Sequence, residues 1–260
     1  MTTDKIGLLD HLEIEYRNND RDCTTECLWC GSDNKLSMSH DEGNIFQCWS
    51  CKERGNGLSF MRKYYSLLPE LTPAIARQFC ALKPGIVPVT VRDEGIRYNG
   101  SFWIPVKNID GNIVALHKYD TTTGIIYSSP KPFACSVIGL DRFKAETDAE
   151  VWIAEGHADY LILRQILKTV PNGPQMLGTC GAGFSGSYLH LLADKNIVLL
   201  FDNDDAGRSG VQSVARRLKQ SGSAVKSLKY LDWSGVTVPQ YDELPKGFDL
   251  RDLYNSLRNA

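Results

Sequence analysis

The sequence has no excess of positive charge. Its 29 lysine and arginine residues are outnumbered by 31 aspartate and glutamate residues, which gives a formal net charge of -2 at neutral pH. An overall basic field of the kind that draws proteins to nucleic acids is therefore excluded. Any binding of phosphate groups must use local basic patches or metal ions.

Long apolar runs are absent as well. No stretch approaches the roughly 18 residues that a membrane span requires, and the first ten residues lack the charged-then-apolar pattern of a secretion signal. We therefore expect a cytoplasmic protein with no membrane partner. The sequence also lacks the G-x-x-x-x-G-K-[ST] loop of ATP-driven motors, so no motor domain of that type is predicted.

The remaining composition is that of an ordinary globular protein, with 42% hydrophobic and 23% charged residues. A chain of 260 residues can hold one large domain or two to three small ones. The eight cysteines are informative, because thiols stay reduced in the cytoplasm. We expect them to be metal ligands or buried thiols rather than disulfides.

Four of the cysteines form two C-x-x-C pairs on either side of residues 31–47: Cys27, Cys30, Cys48 and Cys51. Four thiolates at this spacing are typical of one closed, tetrahedral, structural zinc site. The residues around Asp41-Glu42-Gly43 predict a β-hairpin between the pairs, and hence a zinc ribbon. A redox role would need only one C-x-x-C at the start of a helix, so it is the less favoured alternative. Cys23 is a surplus thiol that could compete with Cys27 as a ligand.

Aromatic side chains lie close to these cysteines in the sequence. Trp29, Phe46 and Trp49 either build a small core around the metal or offer faces on which nucleic-acid bases stack. The sequence leaves both interpretations open.

Two acidic motifs further along the chain each follow an apolar run. Residues 151–154 lead to Glu155, and residues 197–201 lead to Asp202, with Asp204 two positions later. Runs that are apolar on both faces predict parallel strands covered by helices. Functional groups in such sheets gather at the carboxyl ends of the strands.

The acidic motifs predict a metal site if their two strands are neighbours. Two unpaired carboxylates about 4 Å apart repel by roughly 4 kcal/mol at an effective dielectric constant of about 20. Such a cluster must take up protons or bind a cation, and oxygen ligands favour Mg²⁺ or Mn²⁺ over Zn²⁺. The alternative is that these acids only begin helices and loops, where the helix dipole favours them.

The sequence E-G-H-A-D at 155–159, followed by D-N-D-D-A-G at 202–207, resembles the motif pair of the TOPRIM fold. Bacterial-type primases, topoisomerases, some nucleases and recombination mediators share this fold. Asp249 and Asp252 resemble the third acidic motif of primase-type TOPRIM domains. The resemblance implies catalytic carboxylates at Glu155, Asp202 and Asp204, which together with Asp249 would hold one to three Mg²⁺ or Mn²⁺ ions. It implies supporting roles for four further residues: Gly156, Asp159, Gly207 and Asp252.

Two other segments resemble DNA primases. Residues 27–65 are similar to the primase zinc-binding domain, and G-N-G-L-S-F-M at 55–61 is closest to the phage form, with Asn56 where the commoner pattern has Asp. Residues 104–118 resemble the subdomain that precedes TOPRIM in phage and plasmid primases. In that family, basic residues here contact template and nucleotide phosphates. The candidates are Arg97, Lys118, Lys131 and Arg142, with Arg208 beside the acidic motif.

Local patterns give further expectations. Asp110-Gly111 predicts a hairpin, and Pro105 predicts that its first strand is bulged or lies at an edge. Residues 4–18 suggest a short amphipathic helix. The four prolines of residues 66–95 predict a linker with one helix over 72–81.

Together the resemblances cover residues 23–258 and imply an α+β multidomain protein. The expected order is a zinc-ribbon template-binding domain (1–65), a linker with a short helix (66–95), a β-rich subdomain (96–148) and a TOPRIM parallel sheet (149–260). The implied activity is that of a phage- or plasmid-type DNA primase, which joins ribonucleoside triphosphates on a single-stranded DNA template. It would act in the cytoplasm of the bacterial host. Because no motor motif is present, its replicative helicase is expected to be a separate protein or a domain that lies outside this sequence.

Two other functions remain open at this point. A TOPRIM nuclease would use the same acids to cleave phosphodiesters, but the ribbon and the middle segment would then be unexplained. A non-catalytic mediator of recombination or replication, which only binds DNA or a partner, fits the mild net charge.

Overall fold

The computed structural model describes residues 7–19, 21–40, 43–130, 133, 137–180 and 184–258. The chain divides into two compact units. The first comprises Met1–Glu70, Gly95–Pro105 and Ile113–Cys135, and the second comprises Leu71–Glu94, Val106–Asn112 and Ser136–Ala260. None of the helices within the described ranges combines the length and the apolar character that a bilayer span requires.

The first unit opens with a short helix and an antiparallel sheet. Helix α1 (Gly7–His11) precedes five strands that pair in chain order: β1 (Tyr16–Asn18), β2 (Asp22–Thr25), β3 (Leu36–Ser39), β4 (Phe46–Cys48) and β5 (Arg54–Gly55). Alternate residues of β2, β3 and β4 are buried, as expected when one face of a sheet is covered. The predicted hairpin is β3–β4, although the turn residues Asp41 and Glu42 lie outside the described residues.

Helix α2 (Gly57–Leu67) supplies the cover for this sheet. Its Phe60 and Met61 are fully buried in one cluster with Met38 of β3 and Phe46 of β4. This cluster is the core that joins the ribbon to the helix behind it.

A capping box fixes the start of α2. The amide of Ser59 donates to the side chain of Asn56 at 3.0 Å, and the amide of Asn56 is 3.0 Å from the Ser59 hydroxyl oxygen. The reciprocal bonds satisfy two amide groups that the helix itself leaves unpaired. Asparagine therefore serves here as well as the aspartate of the commoner pattern.

A second antiparallel sheet has four strands in chain order: β6 (Arg97–Asn99), β7 (Ser101–Lys107), β8 (Ile113–Tyr119) and β9 (Ile126–Tyr127). The predicted hairpin joins β7 and β8, and Gly111 in its turn has a φ of 78°. The expectation that Pro105 marks an edge strand is wrong, since β7 lies between β6 and β8. The pairing of β7 with β6 extends only as far as Trp103. Pro105 lies beyond it, so the lack of an amide hydrogen at Pro105 removes no hydrogen bond to β6.

The second unit contains the predicted parallel sheet. Its strands are β10 (Val137–Ile138), β11 (Val151–Glu155), β12 (Gln175–Thr179), β13 (Asn196–Leu200) and β14 (Ser227–Tyr230), in the order β10-β12-β11-β13-β14. Only β10 runs antiparallel to its neighbour. Ile153 of β11 lies opposite Leu177 of β12 and Leu199 of β13, and all three are fully buried; Ala154 and Leu200, on the other face, are buried as well. Burial of both faces explains why these strands read as continuous apolar runs.

Helices follow the two acidic strands. Helix α5 (His157–Leu167) packs on β11 and β12. Helix α6 (Asp205–Ser221) contributes Val214 and Leu218 to the core of the sheet. Each helix thus begins at the carboxyl end of its strand and packs back against the sheet. The carboxyl ends of the two strands stay accessible at one side of the sheet.

Three further helices belong to the second unit: α3 (Pro73–Leu82), α4 (Pro88–Asp93) and α7 (Leu250–Arg258). Helix α3 is the helix predicted over 72–81, whereas α4 was not predicted. Pro73 and Pro88 each occupy the first turn of a helix, where the missing amide of proline costs no hydrogen bond. These prolines therefore begin helices rather than mark irregular chain.

Gln165 anchors these helices to α5. Its Oε1 accepts from the amide of Val87 at 2.7 Å, and its Nε2 donates to the carbonyl of Gly85 at 2.9 Å. Nε2 also lies 3.0 Å from the hydroxyl of Tyr254 on α7. One side chain thus fixes both the turn before α4 and the last helix.

Candidate active site

Glu155 and Asp202 lie side by side at the carboxyl edge of the parallel sheet. Glu155 is the last residue of β11, and Asp202 follows the end of β13 by two residues. The two strands are paired in parallel, with Ala154 opposite Leu200. The amide of Asp202 donates to Oε2 of Glu155 at 3.3 Å. The two acidic motifs therefore meet in space.

Gly156 makes the turn from β11 into α5. Its φ of 96° is accessible to glycine and strained for other residues. Its amide donates to the carbonyl of Thr179 at 3.0 Å, which ends the ladder with β12. The tight turn leaves Glu155 at the open edge of the sheet.

Asp204 and Gly207 shape the start of α6. The amide of Gly207 donates to Oδ1 of Asp204 at 2.7 Å, so Asp204 is the N-cap of the helix and uses one carboxylate oxygen for it. A Cβ atom at Gly207 would lie 2.3 Å from the carbonyl oxygen of Asp202. Only glycine permits this close approach, which sets the positions of Asp202 and Asp204 relative to each other.

The third acidic motif caps α7. Oδ1 of Asp249 accepts from the amide of Asp252 at 2.7 Å, and Oδ2 of Asp252 accepts from the amide of Asp249 at 3.4 Å. The Arg251 guanidinium donates to Oδ2 of Asp249 at 3.0 Å. Asp159 of α5 is only 4% exposed and accepts from the amide of Arg251 at 3.1 Å. Asp159 thus holds the start of α7, and with it Asp249, against α5.

Two backbone hydrogen bonds tie the third motif to the second. The amide of Asn203 donates to the carbonyl of Phe248 at 2.9 Å, and the amide of Gly247 donates to the carbonyl of Asn203 at 2.9 Å. Asn203 separates Asp202 from Asp204. The segment that carries Asp249 is therefore pinned beside both acids.

Burial and crowding raise the pKa of several of these carboxyl groups. The pKa of Asp202 is raised to about 8, mainly by burial. The neighbouring carboxylates add to this effect, and Glu155 contributes most among them. Burial, opposed in part by the hydrogen bond from Asp202, also raises the pKa of Glu155. The pKa of Asp159 is raised well above its usual range by burial and then by Asp249 and Asp202. Ionisation of these carboxyl groups is thus disfavoured in the metal-free protein, and a bound cation would favour it.

The donors that converge here are carboxylate oxygens, a set that fits Mg²⁺ or Mn²⁺. Within the described ranges, no three of these carboxylates bring oxygens within 4.8 Å of one another. An ion would therefore be held by one or two carboxylates and otherwise by water, which is the usual mode for Mg²⁺.

The four predicted thiolates converge in the first unit. Their sulfur atoms all lie within 4.8 Å of one another. Cys27 and Cys51 are 3.8 Å apart, as are Cys30 and Cys48. Zinc–sulfur bonds of about 2.3 Å in a tetrahedron place the sulfurs about 3.8 Å apart. The side chains fit one zinc ion as they stand.

Equivalent turns present the two cysteine pairs. Gly31 and Lys52, which follow the second cysteine of each pair, have φ values of 68° and 65°. The Gly31 amide donates to the carbonyl of Cys27 at 2.8 Å, and the Lys52 amide donates to that of Cys48 at 3.0 Å. Such paired knuckles are the local form expected of a zinc ribbon.

Cys23 does not join this cluster. Its buried thiol donates to the carbonyl of Met38 at 3.6 Å, and burial raises the pKa of the thiol to about 11. The group is therefore a neutral thiol in the core of the ribbon, which favours Cys27 as the ligand.

The aromatic residues near the zinc cluster divide between two roles. Trp29 stacks on Phe46 with ring centroids 4.9 Å apart and lies 6.1 Å from Phe60, so these rings form a small core. Trp49 is 60% exposed and lines a surface pocket of about 670 Å³ together with Arg54. Only Trp49 offers a free face.

The basic candidates of the first unit are engaged within the protein. The Arg97 guanidinium lies 4.6 Å from the centre of the Tyr65 ring and donates to the carbonyl of Leu68. Lys118 forms an ion pair with Glu13. Lys131 lies outside the described residues. The structure therefore brings neither Arg97 nor Lys118 forward as a free cation.

The two basic candidates of the second unit lie at opposite ends of the strands of its sheet. Arg208 is in the first turn of α6, where it pairs with the exposed Asp205 at 2.7 Å, yet it is itself 60% exposed and lines a pocket with Asp202. Arg142 lines a different pocket with Gln175, the first residue of β12, whereas Glu155 lies opposite the last residue of that strand. Arg208 alone is placed to meet a ligand bound at the acids.

The pocket beside Asp202 also contains residues that sequence reasoning missed. It measures about 410 Å³, and its wall includes Tyr230, Trp233 and Gln212. Tyr230 is 61% exposed at the carboxyl end of β14, the strand next to β13. An aromatic residue at the end of a strand was a usable signal, because functional side chains collect at the carboxyl ends of parallel strands.

Comparisons with known proteins agree with this architecture. Residues 152–236 match the family model described as Toprim-like. A search of curated proteins gives no match. The solved structure of the DnaG primase catalytic domain bound to ssDNA is similar with a TM-score of 0.55 and 13% identity, over 78% of this chain and 76% of that one.

Two further structures show the same likeness. The Escherichia coli primase catalytic core has a TM-score of 0.53 and 14% identity, over 76% of this chain and 75% of that one. The RNA polymerase domain of Mycobacterium tuberculosis primase DnaG has a TM-score of 0.50 and 16% identity, over 78% and 80%. The chain thus has the α+β fold of a primase catalytic core, with a Toprim-like domain over residues 152–236.

Proposed function

We propose that this protein is a DNA primase, a nucleotidyltransferase that joins ribonucleoside triphosphates into short RNA primers on single-stranded DNA. The observation that carries the proposal is the contact of Asp202 with Glu155 at neighbouring strand ends of a Toprim-like domain. Crowded carboxylates are the groups with which phosphoryl-transfer sites hold Mg²⁺. The likeness of the fold to primase cores supports this reaction over others.

Four carboxylates would hold one to three Mg²⁺ or Mn²⁺ ions: Glu155, Asp202, Asp204 and Asp249. A bound metal would supply charge neutralisation for the triphosphate and help to orient the attacking 3′-hydroxyl for in-line displacement. The Asp252 amide and the Arg251 guanidinium donate to the Asp249 carboxylate and would fix its orientation. Gly156 and Gly207 permit the backbone turns that bring the acids together.

Glu155 is the candidate for general acid–base work. Burial raises its pKa, which moves the carboxyl group toward the range where it exchanges protons near neutral pH. The hydrogen bond from the Asp202 amide fixes the orientation of the carboxylate. It would accept the proton of the attacking hydroxyl.

The pocket beside the acids would receive the incoming nucleotide. Arg208 would contact the phosphates, and Tyr230 offers an exposed ring to the nucleoside. Lys131, Arg97 and Lys118 remain candidates for template contacts, although the charges of Arg97 and Lys118 are already paired within the protein.

The zinc ribbon would select the start site on the template. Trp49 presents an open indole face beside Arg54, a combination that suits stacking on an unpaired base next to a backbone phosphate. The G-N-G-L-S-F-M sequence at 55–61 favours the phage- or plasmid-type branch. A replicative helicase would be a functional partner, and the reaction would take place in the bacterial cytoplasm.

Incubation with Mg²⁺, labelled ATP and CTP, and single-stranded templates that cover the trinucleotides tests the proposal. Short oligoribonucleotides are expected with the unaltered protein and with Asp205→Ala, but not with Asp202→Ala. Asp205 is the matched control because it is exposed and paired with Arg208 and Lys246. Shortened templates without new RNA would instead identify a nuclease. Template binding with neither product would identify a non-catalytic mediator.

A further inference from the structure

A second pocket in the Toprim-containing unit is lined by cations. It measures about 500 Å³ and lies between the amino end of β12, helix α5 and the chain after β10. Its described lining includes three basic side chains and no carboxylate: Arg142, Lys144 and Arg164. A pocket of this size holds a ligand as large as a nucleotide.

This pocket is separate from the acidic centre. Gln175, the first residue of β12, lines it, whereas Thr179 at the other end of β12 lies opposite Glu155. Four residue steps along a strand span about 13 Å. A ligand held here is not at the carboxylates that would bind Mg²⁺.

Two of the cations are held in place by one buried acid. Glu94, whose side chain is 9% exposed, accepts from Arg142 at 3.0 Å and from Arg164 at 3.2 Å. Asp141 lies 3.5 Å from Arg142 but is also 3.8 Å from Lys107. Positive charge therefore remains in excess, on guanidinium groups that are already oriented.

Lys144 supplies a third cation on a fixed backbone. Its amide donates to Oε1 of Gln175 at 2.5 Å, and Nε2 of Gln175 donates to the carbonyl of Lys144 at 3.0 Å. Nε2 also lies 2.9 Å from the hydroxyl of Thr147, which closes the turn. In the part of the chain that the structure describes, the Lys144 ammonium makes no ion pair.

We propose that this pocket binds a polyphosphate anion of the nucleoside triphosphate class without a metal ion. The excess of cations matches the charge of a polyphosphate, and the lack of carboxylates in the lining leaves no ligands for a bridging Mg²⁺. Val170, Pro174 and Met176 form an apolar part of the wall that suits a nucleoside. Binding at this pocket is a function additional to the proposed priming reaction. The pocket contains none of the acidic residues of the candidate active site.

Equilibrium dialysis with radiolabelled ATP in EDTA tests the site directly. We expect one ATP bound per chain in the full protein, with affinity that falls as salt is added. Asp202→Ala should leave this binding unchanged, so the outcome is independent of priming activity. Inorganic tripolyphosphate should displace ATP. If its affinity is less than tenfold below that of ATP, the phosphates supply most of the recognition.

Charge reversal identifies the pocket. Lys144→Glu should weaken ATP binding by about tenfold or more, an effect of 1.4 kcal/mol per decade. Lys219→Glu makes the same charge change on the exposed side of α6 and should leave the affinity unaltered. Val170→Trp, which fills the apolar side without a charge change, should also weaken binding and serves if Lys144→Glu folds poorly. Absence of ATP binding in EDTA, an equal effect of Lys219→Glu, or displacement by a DNA 12-mer but not by tripolyphosphate would overturn the proposal.

Discussion

The amide of Asp202 lies 3.3 Å from Oε2 of Glu155, although 47 positions separate the two residues in the sequence. The contact exists because β11 and β13 are parallel neighbours whose carboxyl ends share one edge. It also places two carboxylates where burial and mutual repulsion raise the pKa of Asp202 to about 8. A functional site built in this way should cost stability, and that cost can be measured.

Asp202→Asn should make the metal-free protein more stable while it abolishes priming. The folded-state pKa is raised above the ordinary value, so at neutral pH the folded protein holds a proton that the unfolded chain releases, and this cost grows as the pH rises toward 8. Asparagine removes this cost. Because solvent screens the partly exposed carboxyl group, we expect a gain of only roughly 1 kcal/mol in the free energy of unfolding in EDTA at pH 7. The rate of primer synthesis should fall by about a thousandfold, because the substitution removes several kcal/mol of metal-dependent stabilisation of the transition state. Urea denaturation and the primer assay measure the two effects.

Asp205→Asn is the control for this substitution. Asp205 is exposed, and Arg208 and Lys246 lower the pKa of its carboxyl group. We expect a small loss of stability and priming close to that of the unaltered protein. If Asp202→Asn also lowered the stability in EDTA, the proposed electrostatic cost at Asp202 would be wrong.

Zinc should stabilise the ribbon through four thiolates and not through Cys23. Cys48→Ala should lose the zinc and unfold the ribbon, because zinc binding to such sites contributes roughly 10 kcal/mol or more. Cys23→Ala should keep one zinc per chain, since the Cys23 thiol bonds to the carbonyl of Met38 instead. Zinc content by mass spectrometry, together with thermal unfolding before and after chelation, measures both. Retention of zinc by Cys48→Ala would rule out the assigned ligand set.

Two tryptophans near the zinc cluster should behave oppositely. Trp49→Ala should weaken binding of single-stranded template by about 1–3 kcal/mol with little change in stability, since the ring is exposed. Trp29→Ala should lower the free energy of unfolding by about 2–4 kcal/mol, because Trp29 packs on Phe46 and Phe60. Fluorescence anisotropy with labelled DNA and urea denaturation separate the two effects. Equal template affinity of Trp49→Ala and the unaltered protein would remove Trp49 from the template site.

Much of the candidate site could be predicted from the sequence because its information is local. Glu155 and Asp202 each end an apolar run, and the rule that functional groups gather at strand ends needs no knowledge of the strand order. The cysteine spacing specifies a zinc site in the same way, since the metal itself imposes the geometry. The choice between Trp29 and Trp49 could not be made, because it depends on which ring faces α2.

One expectation failed for a local reason, and another position could not be read from a single segment. The apolar pattern of residues 4–18 suggested one helix, but α1 ends at His11 and Glu13 adopts a φ of 57°, after which β1 pairs with β2. A left-handed residue of this kind ends a helix without any signal from glycine or asparagine. Arg142 was predicted to contact template or nucleotide phosphates. It lines a pocket with Gln175, which the register of β12 places at the opposite end of the strand from Thr179, the partner of Glu155. Such register is a tertiary property that a single segment does not encode.

His11 should make the stability of the first unit depend on pH. Its Nε2 lies 2.7 Å from the carbonyl of Leu116, to which it donates, and its ring packs edge-on against Trp103 at 5.6 Å. Burial lowers the pKa of His11 below its usual 6.5, which favours the neutral ring in the folded protein. Below about pH 6.5 the unfolded chain takes up a proton that the folded chain does not, and stability is lost as the pH falls toward the folded-state pKa, with a slope of at most about 1.4 kcal/mol per pH unit for one proton. His11→Gln keeps an amide donor for Leu116 and does not titrate, so its stability should fall less between about pH 7.5 and pH 5. Urea denaturation of both proteins across this range gives the two slopes, and identical slopes would show that His11 is protonated without cost in the folded state.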